Sequence, residues 1–133
     1  MRAEGHGKPI TFLVTAGQRH ESTMFEPLME QGAVRRRGRG RPRLRPRRVV
    51  GDKGYSYPRV RGFLRRHRIG VTIPRRRDQR RRGAFDRVEY RGRNKVERLI
   101  NRLKQFRRIA TRYEKRAANY LAMLTLAAIV LWL

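Results

Sequence analysis

Residues 48–74 read RVVGDKGYSYPRVRGFLRRHRIGVTIP, and this stretch decides the fold class. Arg48-Val49-Val50-Gly51 is a short β-branched run of the kind that forms a strand, and Gly70-Val71-Thr72-Ile73-Pro74 is a second. Between them, Pro58 to Arg68 spaces Val60, Phe63 and Leu64 as the apolar face of an amphipathic helix. Strand, helix, strand requires a crossover, so at least part of the sheet is expected to be parallel. Asp52 follows directly on the first strand, at the carboxyl end where α/β sheets present polar groups to ligands. Taken alone, an aspartate in a Gly-Asp turn reads first as a plain turn residue.

The alternation continues on both sides. Pro9 to Thr15 is β-branched and apolar and stops at Ala16-Gly17, which predicts a strand. Ser22 or Thr23 caps a short expected helix running to Gln31, with Phe25, Leu28 and Met29 turned inward. Val34 to Arg48 is rich in Arg, Gly and Pro, has little to bury, and is expected to be a mobile basic loop. Arg75 to Gly83 is a second basic loop. Two helices follow, a basic one at about 90–108 and an apolar one at about 117–133. No internal repeat is visible.

Composition points to a polyanionic partner. Thirty-six Lys and Arg against ten Asp and Glu give a formal charge of +26 on 133 residues. A surface this cationic releases condensed counterions on meeting a phosphate backbone, so salt-sensitive, sequence-independent binding is the default expectation. Arg outnumbers Lys by 31 to 5. That suits bidentate phosphate contacts, although a GC-rich coding sequence produces the same bias. Hydrophobic residues are 38% of the chain, enough for one modest core, and one domain is expected. With no cysteine there is neither a disulfide framework nor a thiolate zinc site, and a cytosolic setting fits.

Tyr90 to Lys104, YRGRNKVERLINRLK, is strongly basic with one carboxylate, Glu97, near its middle. On a continuous helix Tyr90, Arg93, Glu97 and Lys104 share a face, and Val96, Leu99, Ile100 and Leu103 pack on the adjoining one. Glu97 then reads either as a metal ligand beside a row of phosphate-binding cations or as a surface acid that offsets its Arg neighbours. Ala117 to Leu133, AANYLAMLTLAAIVLWL, follows a cationic segment as a membrane anchor would, but it falls short of the ~20 residues that span a bilayer. A buried final helix is the reading adopted, and no membrane partner is expected.

The motifs around Asp52 and Glu97 carry a family resemblance. Gly51-Asp52-Lys53-Gly54-Tyr55 resembles the second-aspartate motif of bacterial insertion-sequence transposases of the DDE type, in the IS-five-like group. Their signature of Tyr, two residues, Arg, three residues, Glu, six residues, Lys is matched by Tyr90, Arg93, Glu97 and Lys104. Gln105 to Lys115, Asn119 to Ala122 and Thr15 to His20 are similar to the same group, so the resemblance covers essentially the whole chain. It implies a ribonuclease-H-like mixed sheet with flanking helices, N-terminally truncated so that the first strand is missing, and long C-terminal helices. It further implies magnesium or manganese held by carboxylates, with Asp52 as the second acid and Glu97 as the third. Arg93 and Lys104 would hold transposon-end phosphates and Tyr90 would bear on the terminal DNA. The implied partners are terminal inverted repeats and target DNA, a second copy in a homodimer, and a product of an upstream frame.

One departure matters. Asp occurs only at positions 52, 78 and 86, so no Asp precedes Asp52, and Glu4, Glu21, Glu26 and Glu30 do not fit the family's first-acid pattern. The expectation is a fragment of a transposase that binds DNA but does not by itself cleave or join it. Two other classes remain open. One is a non-catalytic basic DNA-binding protein built around Arg39-Gly40-Arg41-Pro42, whose Arg39 and Arg41 resemble the core of an AT-hook. The other is a basic protein lying on a membrane surface.

Overall fold

The computed structural model describes residues 1–18, 20–35, 37–80 and 83–133. Arg19, Arg36, Arg81 and Arg82, which belong to the His20-containing motif and the two basic loops read from the sequence, lie outside the described residues. In chain order the elements are β1 (Arg2–Ala3), β2 (Pro9–Thr11), α1 (Phe25–Glu30), β3 (Arg48–Val50), α2 (Pro58–Arg66), β4 (Gly70–Thr72), α3 (Arg87–Arg91), α4 (Asn94–Lys104), α5 (Arg107–Ala110) and α6 (Ala117–Trp132). Short 3-10 turns at Glu21–Met24 and Lys53–Tyr55 precede α1 and α2. The chain divides into two compact units, one of residues His20–Arg93 and one of Met1–Arg19 with Asn94–Leu133. Composition predicts a single core; instead each unit has its own apolar cluster.

In the His20–Arg93 unit the expected strand, helix and strand are all present. β3 and β4 pair in parallel, with Arg48 opposite Gly70, Val49 opposite Val71 and Val50 opposite Thr72. Their connection, α2, buries Val60, Phe63 and Leu64, the three residues its periodicity selects. α1 turns Phe25, Leu28 and Met29 inward as expected. The cap differs from the expectation. Neither Ser22 nor Thr23 caps; the His20 ring accepts the Ser22 N–H, and the Thr23 hydroxyl donates to the His20 carbonyl at 2.8 Å. Phe25 packs on Phe63 edge to face, with ring centroids 6.0 Å apart, and closes the cluster of Phe25, Met29, Val60, Leu64, Ile69 and Ile73.

In the other unit β1 and β2 form an antiparallel pair, with Arg2 opposite Thr11 and Ala3 opposite Pro9. The turn between them is built by Glu4, whose carboxylate accepts the N–H groups of His6 and Lys8 at 2.9 Å each. Gly7 takes φ +88°, which a side chain rarely tolerates. α4, α5 and α6 enclose Leu99, Leu103, Ile109, Leu124 and Ala127. α6 is tied to β2 at its end. The Trp132 indole N–H donates to the Pro9 carbonyl at 2.6 Å, and Lys8 Nζ donates to the Trp132 carbonyl at 3.1 Å. That ammonium supplies the cation that the last turn of α6 lacks, opposite the negative end of the helix.

Four expectations are corrected. The α/β class holds, but among the described residues the strands form two separate two-stranded sheets rather than one mixed sheet. The strand predicted over Pro9 to Thr15 ends at Thr11. The basic helix expected over 90–108 is three segments. Gly92 is a weak helix former, and there the Gly92 and Arg93 N–H groups turn back to the carbonyls of Glu89 and Tyr90, so α3 closes before α4 begins. Finally, α6 is buried only along Leu124, Ala127 and Ala128, while Leu126, Ile129, Val130 and Leu133 stay exposed. No helix among the described residues is long and apolar enough to cross a membrane.

Candidate nucleic-acid interface

β3 delivers Asp52 two residues beyond its end, as the sequence predicts. The carboxylate closes the following turn by accepting the Gly54 N–H at 2.8 Å. A Cβ at position 54 would lie 2.9 Å from Asp52 Oδ1, so a larger residue there would push the carboxylate out of its present position. The turn role and any ligand role are compatible, because an ionised carboxylate has acceptor capacity beyond one hydrogen bond.

Glu97 is exposed on α4, seven residues before Lys104, so those two share a face of one helix. The same helix buries Leu99 and Leu103 as expected, but Ile100 is 38% exposed. Tyr90 and Arg93 are not part of α4. Tyr90 belongs to α3 and Arg93 to the turn after it, both in the His20–Arg93 unit, with the Arg93 guanidinium 5.8 Å from the Tyr90 ring centre. Tyr90 also meets Phe85 edge on, with ring centroids 5.3 Å apart. The single continuous helix from which that four-residue face was drawn is interrupted at Gly92.

The basic loop after α1 is not featureless. Val34 and Arg43 exchange backbone hydrogen bonds of 2.9 and 2.7 Å and close an arm, whose exposed tip carries Arg39 and Arg41 on either side of Gly40 at φ +128°. Both candidate arginines thus stand in solvent.

Sequence reasoning missed two polar networks. In the first, Arg48 Nη1 and Thr72 Oγ1 both donate to Glu89 Oε2, at 3.0 and 3.1 Å, and Arg48 also donates to Thr72 Oγ1 at 3.1 Å. This fastens α3, and with it Tyr90, to the β3–β4 pair. The Asp86 and Glu89 pair at a helix start is the signal that could have flagged it, since Asp86 caps α3 by accepting the Glu89 N–H at 2.8 Å. In the second network the fully buried Ser56 donates to Gln79 Oε1 at 2.7 Å and accepts from Arg61 Nη2 at 2.9 Å. Arg61 also donates to the Ile73 carbonyl at 2.8 Å, its Nε is buried without a hydrogen-bond partner, and burial, with the Arg75 charge, lowers its pKa. These bonds draw the second basic loop onto the start of α2. Arg76 there stacks on the Tyr57 ring, 4.3 Å from its centre.

Among the described residues no three His, Asp or Glu side chains come together in a way that could hold a metal ion. Asp52 and Glu97 belong to different units. The residues described here do not by themselves make a three-carboxylate site.

Residues 3–133 match the family model described as the transposase DDE domain. Among curated proteins the chain is similar to a putative transposase for insertion sequence element IS402 from Burkholderia cepacia, at 33% identity over 130 residues. That alignment takes in 97% of this chain and 59% of the relative, so the chain spans less than two thirds of the length of the protein it resembles. No solved structure matches it. A family match that runs from β1 through α6 settles the assignment: the chain belongs to the DDE-type transposases.

Proposed function

We propose that this chain binds the DNA ends of a mobile element of the IS-five-like group as part of a transposase catalytic domain, with Asp52 and Glu97 as two of the acids that face the reacting phosphodiester. The observation that carries the reading is a family match over residues 3–133 in a chain of formal charge +26. Lys104 on the Glu97 face of α4 and Arg93 beside Tyr90 are the cations assigned to end phosphates. The family's chemistry uses a divalent ion, magnesium or manganese, to activate the attacking oxygen. No cleavage step is assigned to this polypeptide, because no Asp precedes Asp52 and the described residues bring no third acid to it. The missing acid would come from further transposase sequence, supplied on a longer chain or by an upstream-frame product, and a homodimer would pair two ends.

The test is binding and cleavage of a duplex carrying the element's terminal inverted repeats, with magnesium or manganese present. Tight binding that weakens steeply with salt, and no nicking, is expected. Nicking or strand transfer by this polypeptide alone overturns the assignment of incompleteness, and failure to bind at low salt overturns the DNA reading. Glu97→Gln should leave affinity within about twofold, because cations make the phosphate contacts.

The arm that presents Arg39 and Arg41 favours a second reading, a non-catalytic DNA-binding protein that inserts arginine into a narrow minor groove. A preference for A·T tracts that persists at moderate salt and is lost in an Arg39→Ala, Arg41→Ala double variant would support it.

A further inference from the structure

We infer that the Tyr57 hydroxyl, held by His20 and Arg76, is a built hydrogen-bond donor for a phosphodiester oxygen of the DNA backbone. The inference rests on the DNA-binding reading above and adds a contact that lies outside the acid motifs.

His20 Nδ1 accepts the Ser22 N–H at 3.3 Å and lies 2.9 Å from the Ser22 hydroxyl. A ring nitrogen that accepts a backbone N–H carries no proton, which assigns the ring hydrogen to Nε2. Nε2 is 2.8 Å from the Tyr57 oxygen and therefore donates to it. Arg76 Nη2 donates to the same oxygen at 2.7 Å. Tyr57 thus accepts twice, and its own O–H proton is left for an acceptor outside this trio. Tyr57 is half-buried, and its bond to His20 lies on the exposed side of the trio.

What that acceptor is follows from the charge around it. The Arg76 guanidinium carbon lies 4.3 Å from the Tyr57 ring centre, so a cation flanks the donor, and a guanidinium has five N–H groups of which one is spent on Tyr57. A neutral donor beside a fixed cation suits an anionic oxygen, and it disfavours a cationic or apolar ligand. The trio is also held from behind. Gln79, three residues past Arg76, is anchored on buried Ser56, and the His20 ring meets Tyr57 edge on with centroids 5.0 Å apart. The donor is therefore set before the ligand arrives.

The decisive measurement uses the unaltered chain. Tyrosine nitration, read by peptide mass with and without a saturating 20-base-pair duplex, should show Tyr57 protected by DNA. Equal modification of Tyr57 in the two samples overturns the inference. Protection equalled by inorganic phosphate at the same phosphate concentration also overturns it, because the seat would then serve a free anion. Variants supply a second readout. Tyr57→Phe keeps the ring under Arg76 and should weaken duplex binding roughly tenfold at fixed salt without changing the slope of log affinity against log salt. Arg76→Ala should reduce that slope by about one. Tyr57→Phe binding with unchanged affinity sinks the proposal while leaving the DNA reading intact; absence of binding by the unaltered chain sinks both.

Discussion

The unit that holds Asp52 and the unit that holds Glu97 are stabilised in different ways. Around Asp52, aromatic and aliphatic side chains form the core, and part-buried polar bonds among Ser56, Gln79, Arg61, Arg48, Thr72 and Glu89 fix which loop lies where. Around Glu97 the core is apolar, and the polar ties among the described residues include the Arg108–Glu114 ion pair, Trp132 to Pro9 and the exposed Lys95 Nζ to the Gly5 carbonyl at 2.7 Å. The contrast teaches that a chain with 31 arginines can use them as internal struts as well as surface charge. A strut such as Arg61 needs its partners, whereas an arginine such as Arg39 at the arm tip needs only water and phosphate.

The largest expected effect tests the apolar core of the Asp52 unit. Leu64 has no exposed surface, and Leu64→Ala should cost about 2–5 kcal/mol, measured by urea denaturation. A loss below about 1 kcal/mol would mean the α2 face is not the core of its unit. Next comes Ser56→Ala, which removes one acceptor from Arg61 and the donor to Gln79, and should cost about 1–3 kcal/mol. If Ser56→Ala proves neutral, the polar network does not fix the loop. In the other unit, Trp132→Phe keeps most of the ring and loses one hydrogen bond to Pro9, for about 0.5–1.5 kcal/mol. A larger loss would show that this unit too depends on polar ties.

The smallest effect concerns pH. The Arg59 guanidinium, bonded to Glu26 at 2.7 Å, holds the Glu26 carboxyl below its ordinary value, with the charges of Arg59, Arg66 and His67 adding to the shift. A depressed acid stabilises the folded state above its unfolded pKa, and that contribution is lost as pH falls through the lower folded value. Stability should therefore show a shallow acid-side decline beneath the usual carboxylate range, and Arg59→Ala should flatten it. Because the pair is solvent-exposed, added salt should erase the difference between the two proteins.

Legibility in the sequence followed the range of the interaction. Phe25, Leu28, Met29, Val60, Phe63 and Leu64 could be named as buried because helical periodicity is local and apolar burial is strong. Asp52 could be placed at the end of a strand for the same reason. The break at Gly92 was harder to see, since the heptad-like spacing of Tyr90, Arg93, Glu97 and Lys104 runs straight through it. One glycine costs a helix only about 1 kcal/mol, so spacing alone does not decide whether the helix continues.

By itself, the sequence determined the sign and size of the charge, the order of strands and helices, the apolar faces of α1 and α2, and the motifs that mark the transposase family. Each depends on residue type or on spacing within one element. Only the tertiary structure decided that the apolar residues divide into two clusters, that Arg61 and Glu89 serve as internal struts, and that His20, Tyr57 and Arg76 meet. The bonds Arg61 to Ile73, Thr72 to Glu89, Arg76 to Tyr57 and His20 to Tyr57 join residues 12 to 37 positions apart, and hydrogen bonds at such separations are set by how elements pack, which no local pattern encodes.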